Sequence, residues 1–121
     1  MKRDWDVIRS VLEEIEGLGE QNFQAAQYSV HRGMAVDGET RVRHILLLRD
    51  AGYIKGVKAD TLEGAGIISP ELTMKGHDLL DTLRSATVWE RTKKIAKEKG
   101  VELTFDTVKA LAKVAFDQVM A

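Results

Sequence analysis

Basic side chains crowd the middle of this 121-residue chain: Arg32, Arg41, Arg43, Arg49, Lys55 and Lys58 lie within residues 31–58, against Asp37, Glu39 and Asp50. In "TRVRHILLLRDAGYI", residues 40–54, helical spacing sets Thr40, Arg43, His44 and Leu47 opposite Val42, Ile45 and Arg49, with Arg41 toward the edge. Guanidinium forks bind phosphate oxygens and guanine edges. Arg41, Arg43 and His44, assisted by Thr40, are therefore candidates for contact with duplex DNA, and Lys55 and Lys58 would meet the adjoining backbone. A solvated helix face would show the same pattern. Leu47, an apolar side chain among arginines, suits a protein partner instead.

Other chemistries find little support. His31, His44 and His77 are too far apart in sequence for a compact metal motif, and the chain has no cysteine to assist them, so no metal or cofactor is expected. Ser29 and His31 adjoin in sequence without an oxyanion motif or an orienting acid. Asp4, Asp6, Glu13, Glu14 and Glu16 are explained by one exposed helix face. Gly64 and Gly66 lack the Gly-Lys-Ser/Thr of a phosphate loop. The chain is expected not to be an enzyme.

Composition bounds the rest. At 44% hydrophobic and 31% charged residues the chain has the makeup of an ordinary globular domain, and its length suits one such domain. A net charge of −1 gives no global attraction to nucleic acid, so any such role needs a local patch. No stretch has the apolar length of a membrane span, and the N-terminus shows no signal-peptide pattern, so a cytoplasmic location is expected.

The elements that would position these residues follow from periodicity and caps. Trp5, Ile8, Val11, Leu12 and Ile15 predict a helix over about 4–16, capped by Asp4 and ended by Gly17 and Gly19. Residues 20–36 show no helical stripe, and Phe23, Tyr28 and Val30 suit a strand with a loop. Asp37 is the expected cap of the next helix, which buries Val42, Ile45, Leu46 and Leu48 and turns off at Ala51-Gly52. "YIKGVK" and "GAGIISPEL" predict a hairpin around "ADTLEG", with the only proline, Pro70, at the end of its second strand. Thr73 is expected to cap a helix to about Arg84 that buries Met74, Leu79, Leu80 and Leu83, with Gly76 permitting close packing. Helices over about 87–99 and 104–119 follow. The first carries the basic run "RTKKIAKEKG", and Thr104 caps the second. Trp5 and Trp89 are expected in the core.

A helix ending in "LLRDAGYI", a charged hairpin and then "ELTMKGHDLLDTL" is similar to the core of small bacterial winged-helix domains. More narrowly, "MKRDWDVIRSVLEEIE", "VRHILLLRDAGYI", "LTMKGHDLLDTLR" and "VWERTKKIAKEKG", in that order, resemble the family called domain of unknown function 2513, found largely in bacteria and phages. The likeness covers nearly the whole chain. It implies a winged-helix-like fold and assigns no activity.

The expected architecture is thus α+β: a winged-helix-like core over 1–84 (helix, strand, helix, β-hairpin wing, helix) and a helical extension over 85–121 packed on the same domain. The expected function is a binding module of bacterial or phage origin, with duplex DNA the leading ligand. The alternative is a protein-interaction module with the same fold, favoured by the neutral charge and by the lack of a clear helix just before residues 37–50. The last helix carries an apolar stripe of Phe105, Val108, Leu111, Ala112, Ala115, Phe116 and Val119. A partner helix can cover it, or a second copy of the chain can. Phe105, Leu111, Phe116 and Val119 are accordingly candidate homodimer contacts.

Overall fold

The computed structural model describes residues 3–18, 29–31, 39–58 and 66–120, with the side chains of 29–31, 39, 58, 68 and 69 left aside. Asp37, Gly19, Phe23, Tyr28, Gly64 and the "ADTLEG" turn lie outside the described residues. The fold is α+β and mostly helical. The elements run α1 (Trp5–Leu18), β1 (Ser29–His31), α2 (Glu39–Asp50), β2 (Ile54–Lys58), β3 (Gly66–Leu72), α3 (Met74–Arg84), α4 (Ala86–Lys99) and α5 (Phe105–Met120). The chain gathers into two compact units, Met1–His77 and Asp78–Ala121, and the division falls inside α3.

In the first unit, α1 packs on α2 and on β3, and α2 packs on β2. Their inward faces supply Ile8, Val11, Leu12, Ile15, Val42, Ile45, Leu46, Leu48, Ile54 and Ile67, all buried. Asp4 caps α1: its Oδ1 accepts from the Asp6 and Val7 amides at 2.9 and 3.3 Å. The helix continues through Gly17 to Leu18, past the stop expected at residue 16. Trp5 is half-buried rather than core, with the Arg3 guanidinium 5.7 Å from its ring centre.

The sheet is small and antiparallel, in the order β1-β3-β2. Its centre strand carries Pro70. Lys55 pairs with Glu71 and Val57 with Ile68, so the single residue Gly56 of β2 stands against two, Ser69 and Pro70, of β3. Pro70 falls in the resulting bulge and beyond the reach of β1, which pairs only with Gly66–Ile68. A residue without an N–H is tolerated there because the bulge asks no ladder donor of it.

The corner between α2 and β2 is closed by α3. Gly52, at φ 88°, ends α2 in the left-handed conformation, with its amide bonded to the Arg49 carbonyl and the Tyr53 amide to the Leu48 carbonyl. Thr73 Oγ1 donates to the Gly52 carbonyl at 2.7 Å and accepts from the Gly76 amide at 3.1 Å, so one hydroxyl caps α3 and ties it to that corner. A Cβ on Gly76 would run into the Tyr53 carbonyl, so this close approach requires glycine. Met74, expected inside, is 77% exposed: it is the first residue of α3 and faces solvent, while Leu79, Leu80 and Leu83 are buried.

In the second unit, Ser85 caps α4 and Gly100, at φ 67°, ends it. Thr104 Oγ1 accepts from the Thr107 amide at 3.1 Å and caps α5. Val88, Ile95 and Ala96 pack against Leu111 and Ala115, with Leu103 alongside. Arg91, in the first half of α4, donates to Gln118 near the end of α5 at 2.6 Å, so the two helices run antiparallel.

Candidate functional site

The candidate binding helix, α2, is enclosed on more sides than a one-sided stripe implies. Val42, Ile45, Leu46 and Leu48 are buried, and so, completely, is His44. His44 was expected on the outer face. Its Nε2 accepts from the Asp4 amide at 3.0 Å, and its Nδ1 lies 2.7 Å from the Thr40 carbonyl. An amide donor on one nitrogen and a carbonyl acceptor at the other are both satisfied by the neutral ring with its hydrogen on Nδ1. The Asp4 amide is one of the donors that the first turn of α1 leaves without a helical partner. His44 therefore joins the start of α1 to α2 and is not available to a ligand.

Arg41 is committed in the same direction. Its guanidinium donates to the Ser10 hydroxyl at 3.0 Å, to the Ser10 carbonyl at 3.3 Å and to the Glu14 carboxylate. The acidic face of α1, which looked merely solvated in sequence, supplies that carboxylate. Arg49 is mostly covered, with 16% of its side chain exposed, and donates to the Gly66 carbonyl at 2.9 Å and to its neighbour Asp50 at 3.0 Å. It is a tie between α2 and β3.

What α2 presents outward is Thr40, Arg43, Leu47 and Asp50: Thr40 and Asp50 are exposed, Arg43 and Leu47 half-buried. Helical spacing puts these four on one face. Lys55, on β2, is 66% exposed and stands 4.0 Å from the Glu71 carboxylate across the hairpin. Lys58 ends β2, opposite Ile67, and its side chain lies outside the described residues. Lys75, which the sequence did not single out, donates to the Ala51 carbonyl at 3.4 Å and sits 4.8 Å from the Tyr53 ring centre, serving the end of α2. Arg41 and Arg49 are thus held by carboxylates within the fold, while Lys55 stays exposed.

The homodimer candidates separate. Leu111 lies in the α4–α5 core, and Phe105 is half-buried. Phe116 and Val119 are exposed, at 53% and 39%. Gln118 and Val119 of α5 with Ala86, Thr87, Glu90, Arg91 and Lys94 of α4 line an open groove. Among the described residues no cluster of three His, Asp or Glu side chains is placed to hold a metal ion, and no helix is long and apolar enough to cross a membrane.

A family described as "Hypothetical protein (DUF2513)" matches residues 2–102. The chain belongs to the DUF2513 family. It is also 35% identical, over the full length of both chains, to an uncharacterized protein of Haemophilus influenzae. No solved structure matches it. The family span in this DUF2513 protein takes in α1 to α4 and the 100–102 turn, and stops before α5.

Proposed function

We propose that this DUF2513 protein is a non-enzymatic, winged-helix-like interaction module whose partner is a protein, docking on the outward face of α2 at Thr40, Arg43, Leu47 and Asp50. The element order helix, strand, helix, hairpin, helix and the strand order β1-β3-β2 support the winged-helix reading. The observation that supports the choice of partner is the inward commitment of two of the candidate DNA-contact residues of α2, with His44 buried and Arg41 turned onto Glu14.

A groove-reading helix needs several donors aimed outward. One bidentate arginine discriminates between bases by about 1–3 kcal/mol. Specific DNA binding exceeds non-specific binding by about 4–10 kcal/mol. The outward face of α2 offers Arg43 beside a leucine and an aspartate. Such a mixed face, with a half-buried apolar side chain between polar ones, suits a modest protein contact.

Fluorescence anisotropy with a labelled mixed-sequence duplex at low salt tests this reading. No saturable signal is expected, and photo-crosslinking from position 47 in the native host should trap a protein that Arg43→Glu no longer retains. Salt-sensitive duplex binding that weakens in Arg43→Glu would instead make DNA the partner.

A further inference from the structure

Away from the face of α5 that buries Val108, Leu111, Ala112 and Ala115 lies a second face. Lys109, Lys113, Phe116, Asp117 and Met120 fall within a sector about 100° wide at helical spacing, and all five are exposed. Phe116 is 53% and Met120 69% exposed, one turn apart, which leaves an aromatic ring and a thioether side by side in water. Lys113 and Asp117 flank them, and neither pairs with another described residue.

The charges on this face are poorly arranged for a helix standing alone. Asp117 occupies the last turn of α5, where the helix dipole disfavours a carboxylate, and that turn holds no basic residue. Lysine placed before the acid at this spacing is also the weaker order for a pair within one helix. Across a two-fold axis the same residues become complementary. With a rise of about 1.5 Å per residue, Lys113 and Asp117 lie about 3 Å to either side of the level of Ala115. An antiparallel copy of α5 related by an axis at that level brings each Lys113 opposite the other chain's Asp117. The two Phe116 rings then meet beside the axis.

We propose that this face of α5 is an isologous contact with a second copy of the chain, with Phe116 and Met120 as its apolar centre and reciprocal Lys113–Asp117 pairs setting its register. The contact is independent of the α2 face. A single helix buries less than the roughly 1,200 Å² typical of tight complexes, so the dimer is a concentration-dependent one.

Light scattering on the full chain over a wide concentration range should show the mass rising from 13.5 kDa toward twice that value. Lys113→Asp alone and Asp117→Lys alone should each hold the chain at the monomer mass, because each sets like charges against one another. Mixing the two single variants should restore dimers, detectable by native mass spectrometry as mixed species, since every pair is then complementary. Phe116→Asp should give monomer with the circular dichroism of the wild type. A wild-type chain that stays monomeric at the highest concentration overturns the proposal, whether another protein or the chain itself covers the face. So does a dimer indifferent to both charge variants, or single variants that do not recombine.

Discussion

His44 makes the sharpest test of how a single side chain holds two helices together. Its Nε2 supplies an acceptor to the Asp4 amide, a donor that α1 itself leaves unpaired. Removing an acceptor from such a donor costs roughly 1–3 kcal/mol, and truncating the ring adds a cavity term. His44→Ala should therefore lower the urea midpoint strongly. Glutamine can carry an oxygen to about the place of Nε2, whereas asparagine reaches only about as far as Nδ1, so His44→Gln should retain more stability than His44→Asn. Equal losses in the two variants would assign the effect to packing alone. Nothing in the sequence announced this role. A helical wheel places His44 among polar neighbours, and the groups that satisfy it come partly from forty residues earlier in the chain. Arg41 misled for the same reason: its carboxylate partner, Glu14, sits on another helix.

Caps and corners were more legible, because their chemistry is local. Asp4, Thr73 and Thr104 each bond amides two or three residues on, and such a signal survives without knowledge of the fold. The apolar stripe of α1 likewise named its buried residues, apart from Trp5. Pro70 was harder to place, since only the pairing of β2 with β3 shows that a bulge extends the strand past it. Two glycines inside helices now separate by their surroundings. Gly17 has open space where a Cβ would stand, so Gly17→Ala should stabilise the protein by about 0.5–1 kcal/mol through helix propensity. Gly76 faces the Tyr53 carbonyl, and the overpacking penalty of about 1–3 kcal/mol should outweigh the same gain. Thermal melts of both variants check the pair: Gly17→Ala rises and Gly76→Ala falls. A rise for Gly76→Ala would mean that α3 can draw back from the α2–β2 corner at little cost.

At the scale of the whole molecule, the order in which parts can assemble follows from the sheet. β2 and β3 are neighbours in sequence, joined by residues 59–65, whereas β1 reaches β3 only by bringing Ser29 to Ile68, Val30 to Ile67 and His31 to Gly66. The entropy of closing a loop grows with its length, and the pairing of β1 encloses all of α2 and the hairpin. Three residues of contact must repay that closure, so β1 should be the last strand to join and the first to leave. Native-state hydrogen exchange should read this directly: amides of β1 bonded to β3 should exchange at lower opening free energy than those linking β2 and β3. If both sets share the global unfolding energy, the sheet opens as one unit. If β1 opens first, the β1 side of β3 is intermittently an unpaired edge of Gly66, Ile67 and Ile68, exposed without unfolding of the core. Conditions that favour that opening would then make strand exchange between chains the route by which this protein aggregates.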